Sequence, residues 1–397
     1  MFIVQTISTH LVRLTAIRYF LPGNAGSSSV AAEKTVACRR KNKVISSGMN
    51  GSATGPRTTD GPGEFMFERC VIRGTELAPA RFCAPLAGYT HSAFRRLVAE
   101  LGGCGAFWTE MLAARQILKE DFDQSPWLRR CPKEGLVVFQ LMTRAGDPLD
   151  RILGRLDEQG VKAVDINLAC DAWTVRQQQA GSALFENDTA MRQVVSDARR
   201  LWPGILTAKI RLGTQRPGWE QRFEQRVRFL AEIGLDALVL HPRFFEDKFK
   251  RRARHELLSW AASMTGLPLI ANGDLIEASQ VEAWAQHLKP ACAIMIGRMA
   301  VVRPWLFATW NRSLPEPVDP ARIWRRLLDY ILEDFPPPVA LRRIQMFSKY
   351  FSANFKFGHG FHTELANAAS LGELRERAER FFATSPSLVQ VPSVSGL

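Results

Sequence analysis

The 397-residue chain contains no Cys-x-x-Cys pair, no Gly-x-Gly-x-x-Gly turn after its first strand-like run, and no apolar stretch of membrane length. Each absence removes a class. The seven cysteines, Cys38, Cys70, Cys83, Cys104, Cys131, Cys170 and Cys292, are odd in number and widely scattered. That pattern speaks against a disulfide framework or a structural zinc site and for a reducing, cytoplasmic setting, with no bound metal expected. Apolar runs end at about eight residues, where a spanning helix needs roughly twenty, so no membrane partner is expected. The missing glycine fingerprint argues against a doubly wound dinucleotide-binding sheet. Acid is also in short supply: Lys and Arg total 52 against 39 Asp and Glu, a formal net charge of +13. Such an excess favours a polyanionic partner through long-range attraction.

What is present divides into four stretches. Before Glu64 the only acids are Glu33 and Asp60, set against Arg13, Arg18, Lys34, Arg39, Arg40, Lys41, Lys43 and Arg57 in a Ser-, Gly- and Thr-rich background. Residues 1–65 cannot bury enough apolar area to offset their ordering entropy and are expected to be a disordered extension. A targeting peptide fits that composition; a start of translation at Met49 or Met66 is the favoured reading. From Arg81, short apolar runs at 81–86, 106–111, 136–142, 163–168, 205–210, 237–241, 268–271 and 291–296 alternate with amphipathic stretches such as 92–101, 148–159, 189–202, 219–233 and 279–288. Gly160, Gly234 and Gly266 stand where helix C-caps belong. This is the rhythm of a (β/α)8 TIM barrel, placed at 78–312. Residues 316–385 hold no strand-like run and carry helical periodicity over 320–334, 338–354 and 371–382, with Phe335-Pro336-Pro337-Pro338 as a break. They predict a small helical domain, followed by a disordered tail at 386–397.

In such a barrel the residues just after each strand converge on one face. Those positions here are Ala84-Pro85-Leu86, Thr109-Glu110-Met111, Gln140, Asn167 to Cys170, Lys209 to Arg211, His241-Pro242-Arg243, Asn272-Gly273-Asp274 and Gly297-Arg298. Glycines beside Asn272 and Arg298 suit a phosphate, because backbone N–H groups approach closely where no Cβ intervenes. A single strand-end Lys or His is usually a structural ion pair or hydrogen bond; eight polar strand ends together point to a bound anion. After strand six, Lys248, Lys250, Arg251, Arg252 and Arg254 interleave with Phe244, Phe245 and Phe249, and the second C-terminal helix adds Arg342, Arg343 and Lys349, followed by Phe355-Lys356-Phe357. Cations that neutralise phosphates beside aromatic faces that stack on bases suit RNA.

The ordered series Ala-Pro-Leu-x-Gly, Thr-Glu-Met, Gln-Leu, Asp-x-Asn-x-x-Cys, Lys-x-Arg-x-Gly, His-x-Arg, Ile-Ala-Asn-Gly-Asp and Met-Ile-Gly-Arg resembles the tRNA-dihydrouridine synthase family over about residues 80 to 385. The resemblance implies an FMN-binding barrel, a helical tRNA-binding domain and NADPH as reductant. It further implies that a flavin hydride goes to C6 of a target uridine while Cys170, as acid, protonates C5. A thiol with a reference pKa of about 8.5 is mostly protonated at neutral pH and can do so; the plain alternative is a buried inert thiol. By the same resemblance Asn167 holds the uracil edge with a donor and an acceptor, Lys209 faces the N1–O2 side of the flavin, and Gln140 and His241 hydrogen-bond it. Asn272, Gly273, Asp274, Gly297 and Arg298 take the phosphate end, Ala84, Pro85 and Leu86 back the ring, and Arg211, Arg243, Lys248, Lys250, Arg342 and Arg343 meet the tRNA.

The chain departs from the family at Ala169, Asp171 and Trp173, which replace a Gly, a Pro and a Lys of the usual loop. Asp171 beside Cys170 is expected to raise the thiol pKa. Two alternatives stand beside the reductase: a tRNA-binding relative that has lost turnover through these changes, and a small-molecule flavin oxidoreductase of dihydroorotate-dehydrogenase type. A monomer is expected, since the second domain already caps the barrel.

Overall fold

The computed structural model describes residues 66–310 and 317–394; the extension expected over 1–65 lies outside them. Described residues begin with a hairpin, β1 (Cys70–Ile72) and β2 (Thr75–Leu77). Its turn, Arg73-Gly74, has φ of 49° and 73°, the left-handed pair that a two-residue hairpin needs to match strand twist. Then follow β3 (Arg81–Cys83), β4 (Ala106–Trp108), β5 (Leu112–Ala113), β6 (Leu136–Met142), β7 (Ala163–Leu168), β8 (Ile205–Gly213), β9 (Ala237–Phe244), β10 (Leu269–Asn272) and β11 (Ala293–Ile296). These strands pair in parallel in the order β4-β3-β11-β10-β9-β8-β7-β6-β5, and a further β4–β6 pairing closes the ring. The result is a (β/α)8 barrel with β5 as a two-residue flange.

Every residue of β7, β8 and β9 is buried, as expected for strands covered by side chains within and helices without. The helices on the outside are α1 (Ser92–Leu101), α2 (Leu149–Glu158), α3 (Trp173–Gln177), α4 (Ser182–Glu186), α5 (Asp188–Leu201), α6 (Trp219–Glu232), α7 (Leu258–Thr265), α8 (Ala278–Ala283), α9 (Ala285–Leu288) and α10 (Arg298–Val302). Of the apolar run expected over 106–111, only Ala106–Trp108 is strand, and β5 begins just beyond it at Leu112. Glu110 leaves the strand to accept the Gly88 N–H at 2.7 Å and to pair with Arg343 at 3.4 Å.

After the barrel come α11 (Pro320–Asp334), α12 (Pro337–Phe351), α13 (Gly358–Ala366) and α14 (Leu371–Ala383). Sequence periodicity missed α13, which carries Gly358 and Gly360 and is entered through Phe357 at φ 61°. Glycine is required at 358: a Cβ there would stand 1.8 Å from the Ser352 carbonyl oxygen. The four helices gather Trp324, Phe347, Phe351, Phe355 and Phe361 into a buried aromatic core, with Phe381 and Phe382 against it. They dock on α1, where the buried Asp334 carboxylate takes Arg96 at 2.7 Å and also meets Ser92 and Arg129. Of the disordered tail expected over 386–397, residues 386–394 are instead tied to the rest of the protein, and 395–397 lie outside the described residues. Val389 N–H donates to the Asn354 carbonyl at 2.7 Å, Arg303 to the Val389 carbonyl at 2.7 Å, and Arg298 to the Val394 carbonyl at 3.1 Å. A segment fixed by distant arginines carries no periodicity of its own, which is why the sequence concealed it. Among the described residues no helix is long and apolar enough to cross a membrane.

Candidate active site

Side chains alternate across a strand with a period of two. In β7 this sends Asp165 and Asn167 to the barrel interior, and in β8 it sends Thr207, Lys209 and Arg211 there. A cavity at the C-terminal mouth is lined by Ala84, Pro85, Leu86, Gln140, Asn167, Cys170, Lys209, Arg211, His241, Arg243, Asn272, Gly273, Asp274, Gly297 and Arg298. The strand ends expected to converge therefore do so. Lys248, Lys250 and Arg342 lie on the surface, outside this lining, and Arg343 is half-buried.

The two sides of the cavity differ in how their charges are met. On β8, Arg211 Nε is buried without a hydrogen-bond partner among the described residues, and Lys209 has the Asp165 carboxylate as its nearest counter-charge without a direct salt bridge to it. Burial pushes Lys209 down to about 8, with Arg211 acting the same way and Asp165 opposing. Burial, then Arg243, also lowers Arg211. Two desolvated cations whose charge is met only at a distance are costly unless an anion joins them. On β9, by contrast, Arg243 is spent within the protein. It donates to both oxygens of Asp274 at 2.6 Å, to the Arg251 carbonyl at 2.5 Å and to His241 Nε2 at 2.9 Å.

Arg243, expected to meet substrate, and Asp274, expected at a cofactor, both line the cavity, where they neutralise each other. The arrangement also fixes a tautomer: guanidinium only donates, so His241 Nε2 accepts and the proton sits on Nδ1. Burial and then the charges of Lys209, Arg211 and Arg243 hold His241 well below its usual pKa, so the ring is neutral. Arg298 lines the cavity 3.8 Å from Asp274. Phe249, 56% exposed, lies over this cluster, with the guanidinium of Arg298 at 4.7 Å and that of Arg211 at 5.5 Å from its ring. Phe244 and Phe245, expected to face RNA with it, are buried in the core at 2% and 4% exposure.

The glycines divide in the same way. A Cβ on Gly297 would point into the cavity with Ala84 Cβ nearest at 3.7 Å, so its absence opens space for a ligand. Gly273 has φ 111°, and a Cβ there would come within 2.6 Å of the His241 ring. Its glycine serves the protein first. The free cations, the neutral His241 and the open face at Gly297 suit an anionic ring cofactor with a phosphate end, the group expected from sequence.

Cys170 sits at the end of β7, partly buried on the cavity wall. Its backbone N–H donates to Asn167 Oδ1 at 3.0 Å, and its carbonyl accepts the Ser182 N–H at 2.8 Å. Gly181, with φ 59°, lets the chain pass: a Cβ there would be 2.4 Å from the Cys170 carbonyl oxygen. Burial raises the thiol pKa, a hydrogen bond from the Ala172 backbone and then the charges of Arg211 and Lys209 oppose it, and Asp171 adds the smaller upward push. The loop that lacks the usual Gly and Pro is thus held by other means, including the Asp171 carboxylate, which accepts from Ser182 Oγ at 2.7 Å and pairs with Arg176 at 3.3 Å. Asn167 also departs from expectation. Its Oδ1 accepts both the Ala169 and Cys170 N–H groups, and its Nδ2 donates to Gln140 Oε1 at 2.8 Å. One N–H remains for a ligand, and no acceptor.

The dihydrouridine synthase family model matches residues 82–385. The chain is 30% identical over 251 residues to tRNA-dihydrouridine synthase B of Proteus vulgaris, covering 62% of this chain and 72% of that protein. With tRNA-dihydrouridine synthase B of Escherichia coli K12 it shares 27% identity over 315 residues, 75% of this chain and 95% of the relative. Among solved structures, morphinone reductase aligns with a TM-score of 0.48 at 13% identity, over 67% of this chain and 94% of that one. With most of the barrel and all four C-terminal helices inside the family match, the chain belongs to the dihydrouridine synthase family.

Proposed function

We propose that this protein reduces specific uridines of tRNA to 5,6-dihydrouridine, using FMN held in the barrel mouth and NADPH as reductant. Overall, uridine, NADPH and one proton give dihydrouridine and NADP⁺. The observation that carries the reading is the Cys170 thiol sharing one cavity with the cations Lys209 and Arg211 in a member of this family. The chemistry supplied by the bound flavin is hydride delivery to C6 of the uracil ring.

The remaining work falls to the chain. Cys170, its pKa raised by burial, keeps its proton at neutral pH and gives it to C5; solvent then reprotonates the thiolate. Lys209 and Arg211 would hold the flavin from the β8 side, supplying positive charge beside its ring. His241 offers its Nδ1–H, and Ala84, Pro85 and Leu86 form an apolar wall that excludes water. Gly297, Asn272 and Arg298 border the end where a phosphate fits. Asn167 presents one N–H to the uracil and therefore faces a carbonyl oxygen. Lys248, Lys250 and Arg342, all exposed, neutralise tRNA phosphates, and Phe249 offers a ring to an unpaired base.

Mass spectrometry of tRNA from a deletion strain tests this. A dihydrouridine position should vanish on deletion, return with the wild-type gene, and stay absent with Cys170→Ala. Deletion without loss of any dihydrouridine overturns the proposal.

A further inference from the structure

Four buried polar side chains on β6, β7 and β8 form one hydrogen-bonded row. Thr207 Oγ1 donates to Asp165 Oδ1 at 2.5 Å, and Gln140 Nε2 donates to Asp165 Oδ2 at 2.8 Å. Asn167 Nδ2 donates to Gln140 Oε1 at 2.8 Å, while Asn167 Oδ1 accepts the Ala169 N–H at 3.2 Å and the Cys170 N–H at 3.0 Å. An amide can be turned either way, so the polarity of such a row is set by its ends. Both ends here are unambiguous. Backbone N–H groups only donate, and an ionised carboxylate only accepts. Each amide between them has one orientation that satisfies both neighbours. Burial pushes the Asp165 carboxyl up to about 6, opposed by its bonds from Thr207 and Gln140 and by Lys209; it is still ionised at neutral pH.

We infer that Asp165 is a positioning residue for Cys170, acting through Gln140 and Asn167 to fix the loop that carries the thiol. It does not line the cavity and is fully buried, so it acts on the site through its neighbours, this row on one side and the charge of Lys209 on the other. A buried carboxylate is expensive unless its hydrogen bonds are complete, and here both its oxygens are engaged. If Gln140 lost its acceptor at Asp165, its amide could reverse. It would then present Nε2 to Asn167 Nδ2, donor against donor, and Asn167 would release the Cys170 loop. Ion pairing with Lys209 is the competing role for this carboxylate. The two roles separate cleanly, because an asparagine at 165 keeps an acceptor for Gln140 while removing the charge; the Thr207 hydroxyl need only rotate to accept from the new amide.

The inference rests on Cys170 as proton donor, so its test has one readout that turnover does not enter. On the full-length protein, alkylation of Cys170 by iodoacetamide is followed against pH by peptide mass spectrometry, with the partly buried Cys131 as an internal control. In parallel, kcat and KM for tRNA are measured with FMN and NADPH supplied. Asp165→Asn should match wild type in the Cys170 profile and in kcat within about three-fold. Asp165→Val should shift the Cys170 profile and leave Cys131 unchanged. It should also lower kcat by roughly 10²-fold, the effect of a misplaced reacting group, with little change in KM. Should Asp165→Val fail to fold, Gln140→Leu breaks the row at its centre and should give the same shift of the Cys170 alkylation profile, a readout that the place of Gln140 on the cavity wall does not enter. A wild-type Cys170 profile and kcat in Asp165→Val, or a wild-type Cys170 profile in its substitute Gln140→Leu, overturns the inference, as does an Asp165→Asn variant no better than Asp165→Val. If the wild-type protein makes no dihydrouridine, the proton-donor reading fails by itself, and the alkylation profiles still decide whether Asp165 sets the loop.

Discussion

The two walls of the cavity are built on opposite principles. On the β6–β7 side every polar group that the Cys170 loop depends on is paired inside the protein: Asp165 with Gln140 and Thr207, Gln140 with Asn167, Asn167 with two backbone N–H groups. On the β8 side Lys209 and Arg211 line the same cavity with no direct salt bridge among the described residues, their opposing carboxylates acting from a distance. The first wall is finished before any ligand arrives; the second is completed by one. A rigid wall can hold a proton donor to the tolerance that chemistry needs, and an unpaired wall can spend its charge on a cofactor.

Breaking the unpaired wall should have the largest effect. Lys209→Met removes the cation, and the protein should no longer retain FMN through gel filtration. Its stability should move the other way. The folded-state pKa of Lys209 is depressed to about 8, so its charged form destabilises the fold most fully below that pH, and the penalty is relieved as pH rises toward the unfolded value of about 10.4. Ligand-free Lys209→Met should therefore be more stable than wild type at pH 7, by on the order of 2 kcal/mol in denaturant titration, with the gain fading from about pH 8 and gone above about pH 10. Lower stability of the variant at pH 7 would show that Lys209 has an internal partner after all.

Disturbing the paired wall should cost stability rather than gain it. Gly181→Ala forces a Cβ against the Cys170 carbonyl at a left-handed φ. A loss of about 1–3 kcal/mol in unfolding free energy is expected, together with faster alkylation of Cys170. An unchanged midpoint would mean the loop yields more readily than its hydrogen bonds suggest. The smallest effect belongs to Asp171. It is the least of the causes raising the Cys170 thiol, so Asp171→Asn should lower the thiol pKa only slightly, read from the pH dependence of alkylation. A large fall would place Asp171, rather than burial, in control of the proton.

Much of the barrel was legible because its signal is local. The apolar runs at 136–142 and 163–168 are the strands themselves, and the residues after them reach the cavity because a barrel sends every strand end to one face. Pairing was not legible. Arg243 and Asp274 lie 31 residues apart, Asp165 and Gln140 25 apart, and only the β-sheet register brings each pair together. The sequence therefore showed which polar residues crowd the mouth, and not which of them had already spent their charge on each other. Phe244 and Phe245 were misread for a related reason: interleaving with Lys and Arg looks the same whether a ring faces RNA or the core. For Asp165 a signal did exist. A charged residue inside an otherwise apolar strand run is costly enough to require an explanation, and its place two residues before Asn167 put it on the same face.

The central claim is that Cys170 delivers a proton to the uracil, and the most direct measurement is dihydrouridine formation on unmodified tRNA at pH 7 by wild type and by Cys170→Ala, each loaded with FMN and supplied with NADPH. A loss of roughly 10²-fold or more in the rate of product formation is predicted for the variant, the scale of a missing general acid, with tRNA affinity unchanged. A Cys170→Ala protein that makes dihydrouridine within a few-fold of the wild-type rate would contradict the account.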